Sequence, residues 1–450
     1  MVRGWLVPLS LAATGFIAAI TFSFVISGSA AAREPRSESA QQQPANARAY
    51  TGPGSCAAAA CHGAIRPVAG GRILQTEYTT WIAQDRHARA SEVLSNPVSV
   101  RMARILGLPA ANSAQKCLAC HTLDAPQAQQ ARTFVSEGVS CEACHGPASA
   151  WLGPHTTKGW THAQSVQAGM IDTKDLVKRT EVCLTCHLGT ADKFVDHEMI
   201  AAGHPDLVFD LEAFSAAMPR HWRPITDGDP FAPVRAFTVG QLVHLRSSLD
   251  RLARRVKGPV WPEYAELDCF ACHHSLSRAE DSWRQNAGYE NRRPGNPALN
   301  VARWVTARHV LAAQDAKAAA DLNDVMTSLA REASRLRPNE EQVVTLTARA
   351  RSILDASIAR ALTAKPDAAA ANRLLRAIVA DVEDIAPRGE RAAEQAAMAI
   401  ETLYMASAQG EDSALRGAFD ELFAQFQNPS GYDPRRFVAQ IRKIESALTR

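Results

Sequence analysis

The sequence predicts a mainly α protein in two parts, a loop-rich N-terminal half followed by an α-helical bundle. Three observations carry this. All ten cysteines lie between residues 56 and 272, in five pairs, each followed at once by a histidine. Residues 288–300, Gly-Tyr-Glu-Asn-Arg-Arg-Pro-Gly-Asn-Pro-Ala-Leu-Asn, have the composition of a linker. Beyond them cysteine disappears and an Ala/Leu/Arg-rich chain with helical spacing begins, broken at Pro338-Asn339, Pro366-Asp367, Pro387-Arg-Gly389, Gly410 and Pro429-Ser-Gly431. Leu374, Ile378, Val382 and Ile385 fall on one stripe, as a bundle helix requires.

The cysteine pairs are the informative feature. Four have standard spacing: Cys117/Cys120-His121, Cys141/Cys144-His145, Cys183/Cys186-His187 and Cys269/Cys272-His273. A wider one, Cys56-(four Ala)-Cys61-His62, opens the series. Cys-x-x-Cys-His is the attachment signature of a c-type haem. The thiols form thioethers to the porphyrin vinyl groups, and the adjacent imidazole binds the iron axially. With 14 His in 450 residues, a His follows a given Cys about 3% of the time by composition alone. Disulfides or structural zinc would also use paired cysteines, but neither requires a His after every second one. The expectation is five covalently bound haem c groups, with His62, His121, His145, His187 and His273 as proximal ligands.

Composition bounds the rest. A length of 450 residues suggests two or three domains, and 46% hydrophobic content is that of a globular chain. A net charge of +3 without a Lys/Arg run excludes a nucleic-acid partner. Aromatic residues make up only 6%, and five porphyrins would provide flat apolar bulk instead. The N-terminus is apolar from Trp5 to Ile26, then Ser27-Gly-Ser-Ala-Ala-Ala32 gives small residues suited to cleavage. Residues 1–32 therefore read as an export signal, in keeping with haem attachment outside the bacterial inner membrane. The run is also long enough to span a bilayer, so retention as an inner-membrane anchor is the alternative. The expected location is the periplasm. Residues 33–50 read as a disordered spacer, 51–287 as the haem domain, 288–300 as a linker and 301–450 as the helical domain.

Taken in order, residues 76–95 predict a helix on which His87 shares a face with Ala83, Ala90 and Leu94. Small neighbours leave room for a haem plane, which makes His87 a candidate ligand. Twenty residues separate Cys120 from Cys141, so the second and third haems must be neighbours. His155 lies ten residues past His145, better placed to reach a different haem. The fourth motif opens a His-rich run in which His204 and His221 are preferred ligands over His197, which is followed by Glu198. A helix over 236–256 places His244 with Ser248, Arg251 and Arg255, opposite its apolar line, and predicts a solvated His244. His274 cannot bind the iron that His273 binds. His309, in line with Ala302, Val305 and Ala312, reads either as a core residue or as a cap on a haem.

The segment Gly138-Val-Ser-Cys-Glu-Ala-Cys-His-Gly-Pro147 resembles the multihaem cytochromes related to cytochrome c-554, the electron acceptor of hydroxylamine oxidoreductase. The helix from Trp81 to His87, the Trp151…His155 segment and Gly203-His204…Arg220-His221 are similar as well. The resemblance covers residues 51–225. It implies His155 as distal ligand of the first haem, His87 of the third and His221 of the fourth, with a five-coordinate second haem on His121. The widened first motif, the fifth haem and the helical C-terminal part depart from that pattern. Bis-His haems leave no site for substrate, so the leading expectation is electron transfer between redox partners, either proteins or a quinone-linked membrane complex. The alternative is a reductase or oxidase of nitrite, nitric oxide or hydroxylamine at an open haem on His121. A motif with Lys as proximal ligand is absent. A third reading is a redox sensor or assembly subunit whose helical part docks a membrane or enzyme partner.

Overall fold

The computed structural model describes residues 48–71, 73–132, 134–223, 229–269, 272–273, 296–407, 413–428 and 431–448. The expected signal segment, residues 33–47 of the spacer, His274 and residues 288–295 of the linker lie outside these. Among the described residues there is no strand, only isolated bridges at Tyr50–Gln130 and Leu267–Leu299. The protein is mainly α, as expected. No helix among the described residues is long and apolar enough to cross a membrane.

The Cys-rich half is built from short helices: α1 Glu77–Gln84, α2 Pro97–Ile105, α3 Gln115–His121, α4 Cys141–His145, α5 His162–Gln167, α6 Leu176–His187, α7 His197–Ala202 and α8 Leu211–Ala217. The helix expected over 76–95 is not continuous. At Asp85 the backbone becomes extended (φ −80°, ψ 131°), and its carboxylate accepts from the His87 N–H to begin a new 3₁₀ turn at Arg86–Arg89. A short acidic side chain offers the backbone a partner that competes with the helix, and here it wins. Apolar packing in this half is sparse: Leu94, Ala103 and Ala111 form a small cluster against Leu108, Cys117 and Leu118. The chain before the first motif is held by hydrogen bonds, with Ala49 N–H donating to Ser149 Oγ and Tyr50 N–H to the Gln129 carbonyl.

Long helices follow: α9 Ala232–Arg255, α10 Ala302–Gln314, α11 Ala316–Ala333, α12 Glu340–Thr363, α13 Ala368–Ala380, α14 Val382–Ile385, α15 Glu390–Ser407, α16 Ser413–Ala424 and α17 Pro434–Leu448. Asn339 and Asp367, beside the expected breaks, cap α12 and α13 by accepting from the backbone N–H of Gln342 and Ala370. α9 is the central element. It packs against α6, α8, α10, α12 and α15, and Phe237, Val239, Leu242 and Val243 on it are fully buried. One hydrophobic core runs from Leu184 on α6 through α9 to Ile444 on α17, and residues 48–450 form one compact unit. Because the last residues of α6 are the fourth motif, this core anchors a haem-attachment site directly.

Neighbours on all sides of α9 overturn the expected solvated face. His244 is 2% exposed, and its Nε2 accepts from Arg303 Nε at 3.1 Å. Arg251 and Arg255 on the same face are buried against Glu266, at 2.8 and 2.7 Å. The face is polar because it buries paired charges rather than because it meets water. His309 bonds to Asp381 at 2.8 Å within the bundle.

Candidate haem sites

In α3, α4 and α6 a motif forms the end of the helix, with His121, His145 and His187 as the last helical residues. Cysteines at i and i+3 share a helix face, so both sulfurs approach one plane. The fifth motif makes the same turn, with the N–H groups of Cys272 and His273 donating to the Cys269 carbonyl at 3.1 and 2.8 Å. The first motif differs. Its helical turn, Pro53–Cys56, ends at the first cysteine, and the four alanines loop back before Cys61. A Cβ on Gly63 would lie 1.9 Å from the Ala57 carbonyl oxygen, so only glycine fits after His62.

The structure brings the candidate histidines together in pairs. His62 and His155 stack with ring centroids 6.2 Å apart and planes 7° from parallel. His87 and His187 lie at 6.2 Å, edge to face. His121 and His204 lie at 6.4 Å, also edge to face. Two metal–imidazole bonds of about 2 Å each, plus the ring half-widths, sum to roughly 6 Å. These spacings therefore fit two imidazoles on opposite sides of one iron. Burial holds His145 down to about 4, with the charges of His221, His62 and His162 adding to the effect.

The His62–His155 pair is one the resemblance implied, and the other two pairs are not. The ring of His87 faces His187, whereas the resemblance implied the iron on His145 as its partner. Gly138 shows why. At φ 48°, where a Cβ would strike the Ala88 carbonyl oxygen at 2.4 Å, it lets the lead-in to the third motif run against residues 87–88. The next N–H, of Val139, donates to the His87 carbonyl at 2.9 Å. The His87 main chain is thus tied to the third motif while its ring reaches the end of α6. His204 lies opposite His121, the histidine whose haem the resemblance implied to be five-coordinate.

Second neighbours orient these rings. His121 Nδ1 donates to the Ala90 carbonyl at 2.8 Å, His155 to Leu152 at 2.6 Å, His204 to Pro205 at 2.7 Å and His221 to Pro219 at 3.3 Å. His62 and His87 instead meet carboxylates, Glu77 Oε2 and Asp85 Oδ1, each at 3.0 Å. An Nδ1–H committed to an oxygen leaves Nε2 as the metal-binding nitrogen. The carboxylates raise the pKa of His62 and His87, while burial lowers His204 and brings His187 to about 4. A neutral imidazole is the ligating form.

The cysteines give the order of the sites. Cys56 lies beside Cys141, and Cys120 beside Cys186. Burial raises Cys144 to about 12, helped by the nearby Cys183 and Cys186. The motifs therefore neighbour one another in the sequence first, third, fourth, second. Glu142 locks the first pair. It is 2% exposed and accepts from the backbone N–H groups of Thr51, Gly52 and Ala148 at 2.7–3.0 Å, joining the lead-in of the first motif to the third. Trp81 Nε1 adds a bond to the Val139 carbonyl at 3.1 Å.

Sequence reasoning missed Glu77, Asp85 and Glu142. Asp85 carried a signal, a carboxylate two residues before a candidate ligand, whereas Glu77 is fifteen residues from His62 and carried none. His197 faces Tyr264 at 5.5 Å and His162 pairs with Asp172 at 2.9 Å. Cys269, Cys272 and His273 are exposed.

All ten cysteines are free of disulfides. A structural zinc needs a full tetrahedron of donors, and among the described residues no group of three or more His, Cys, Asp or Glu could hold a metal ion. Paired sulfurs on one face, a histidine beside them and a second imidazole across a gap of iron-binding width fit haem c. Residues 55–146 match the family described as cytochrome c554 and c-prime. No curated protein and no solved structure matches the chain significantly. The match covers the segment that carries the first three motifs, and in that segment the chain is similar to a family of c-type cytochromes.

Proposed function

We propose that the chain is an exported pentahaem c-type cytochrome that passes electrons between redox partners through closely spaced, mostly bis-His haems. The observation that carries this reading is the set of histidine pairs 6.2–6.4 Å apart, each joining a motif histidine to one from elsewhere in the chain. A c-type haem supplies one-electron chemistry, its iron alternating between ferric and ferrous states. The protein fixes the separations through Glu142, Gly138 and the α6–α9 core. It aims the imidazoles through their Nδ1 partners, and paired imidazoles would hold the iron of a bound haem and leave no position for substrate. Electrons enter or leave through a periplasmic redox protein or a quinone-linked membrane complex, with the N-terminal apolar run as the means of export or membrane attachment.

The alternative, reduction or oxidation of a small nitrogen compound at an open iron on His121, needs a free coordination position. His204 at 6.4 Å from His121 stands against it. Electron paramagnetic resonance of the purified, oxidised holoprotein is the test. Low-spin signals for the His62, His121, His145 and His187 haems are expected, and a high-spin signal from the His121 haem would overturn the reading in favour of the enzyme. Intact mass should show five covalent haems, and four would remove the Cys56/Cys61 site.

A further inference from the structure

The Nδ1 partners described above are of two kinds, and their distribution is not even. His121, His155, His204 and His221 donate to main-chain carbonyls. Only His62 and His87 meet carboxylates. His62 belongs to the first motif, and His87 faces the fourth. The cysteine contacts couple the first motif with the third and the fourth with the second. Each coupled pair therefore contains one carboxylate-backed axial imidazole.

Neither carboxylate is free to swing away. Glu77 Oε1 accepts from the N–H groups of Leu74 and Gln75 at 2.7 and 3.2 Å, which leaves Oε2 for the ring of His62. Asp85 is 3% exposed, and its Oδ1 accepts from both the backbone N–H and the Nδ1–H of His87, each at 3.0 Å. A negative charge on Nδ1–H makes the imidazole a stronger donor through Nε2. Stronger donation favours the ferric over the ferrous state and lowers the potential.

Resting on the reading of the motifs as haem sites, we propose that Glu77 and Asp85 are positioning residues that set redox potential. Each holds its axial histidine so that the haem of the first and of the fourth motif is the lower-potential member of its pair. An electron on either pair then resides on the haem of the third or the second motif. Reduction adds one electron per iron from the external reductant. No bond breaks, and the Nδ1 proton stays on the ring.

The test is a spectropotentiometric titration of the holoprotein with a chemical reductant, comparing wild type with Glu77→Gln and Asp85→Asn. Both substitutions keep an oxygen for the backbone donors; Asp85→Asn removes only the charge, whereas Glu77→Gln removes the charge and the acceptor facing the His62 ring. Each variant is expected to raise one single-electron component by about 59 mV, a tenfold change in its reduction equilibrium. The two variants should move different components, and the low-spin spectrum should keep its intensity. Either variant decides the matter alone if the other does not fold. Unmoved potentials would overturn the proposal, as would loss of a low-spin signal without a potential shift, which would mean the carboxylates merely hold the rings. Wild-type protein without bis-His haem would instead sink the underlying reading.

Discussion

His204 and His121 face each other edge to face at 6.4 Å, each anchored at Nδ1 by a main-chain carbonyl. His204 follows Gly203, where α7 ends in a left-handed turn (φ 115°) that takes the chain out of the helix. The pairing places a second imidazole opposite the one histidine whose haem the family resemblance left five-coordinate. Replacing His204 with Ala should convert one low-spin haem to high-spin, seen as a new signal near the axial high-spin position. An unchanged spectrum would mean that His204 is not a ligand.

The pairing of His87 with His187 can be tested by counting. With His87→Ala and His187→Ala together, both ligands leave the same iron, so one low-spin component should disappear. With His87→Ala and His145→Ala together, two irons are affected and two components should go. The reverse pattern would restore the assignment implied by the resemblance.

Glu142 satisfies three buried backbone donors with one side chain. Truncation to Ala orphans Thr51, Gly52 and Ala148, and each buried unsatisfied donor costs about 1–3 kcal/mol. Glu142→Ala is expected to lower the denaturant midpoint of the haem absorbance by the equivalent of about 3 kcal/mol, with Glu142→Gln losing less. A midpoint unmoved by either change would remove Glu142 from its role as the tie between the first and third motifs.

Glu266 gives a pH dependence. Burial opposes its ionisation, but Arg251 and Arg255 outweigh burial and hold its carboxyl below the ordinary value. The folded state therefore binds fewer protons than the unfolded state below the ordinary glutamate pKa of about 4.3. The stabilisation is present above that pH and is lost as pH falls through the depressed value. Urea unfolding from pH 6 downward should show a drop in stability below about pH 4 that Glu266→Gln flattens. Glu266→Ala leaves buried guanidinium groups unpaired and should cost about 3–5 kcal/mol at neutral pH.

How much was legible beforehand follows from the range of each interaction. The attachment motifs are local: two sulfurs and an imidazole within a turn of helix, so Cys141-Glu-Ala-Cys144-His145 declares its chemistry in five residues. Helices of the C-terminal part were equally visible, because apolar stripes such as Leu374, Ile378, Val382 and Ile385 repeat at helical spacing and Asn339 and Asp367 cap where proline breaks the pattern. His87, His155, His204 and His221 stood out as candidate ligands from their number and surroundings. Which iron each serves was not.

The sequence by itself determined the Cys-x-x-Cys-His motifs and the helical class, since both depend on neighbours within a few positions. Only the tertiary structure decided that His87 meets His187, that His204 closes on His121, and that His244 is buried beneath Arg303. Those outcomes turn on contacts between residues far apart in the chain: Gly138 admitting the backbone at 87–88, and α9 being enclosed on all sides. A side chain's local pattern states what it can do. The packing around it determines what it is placed against.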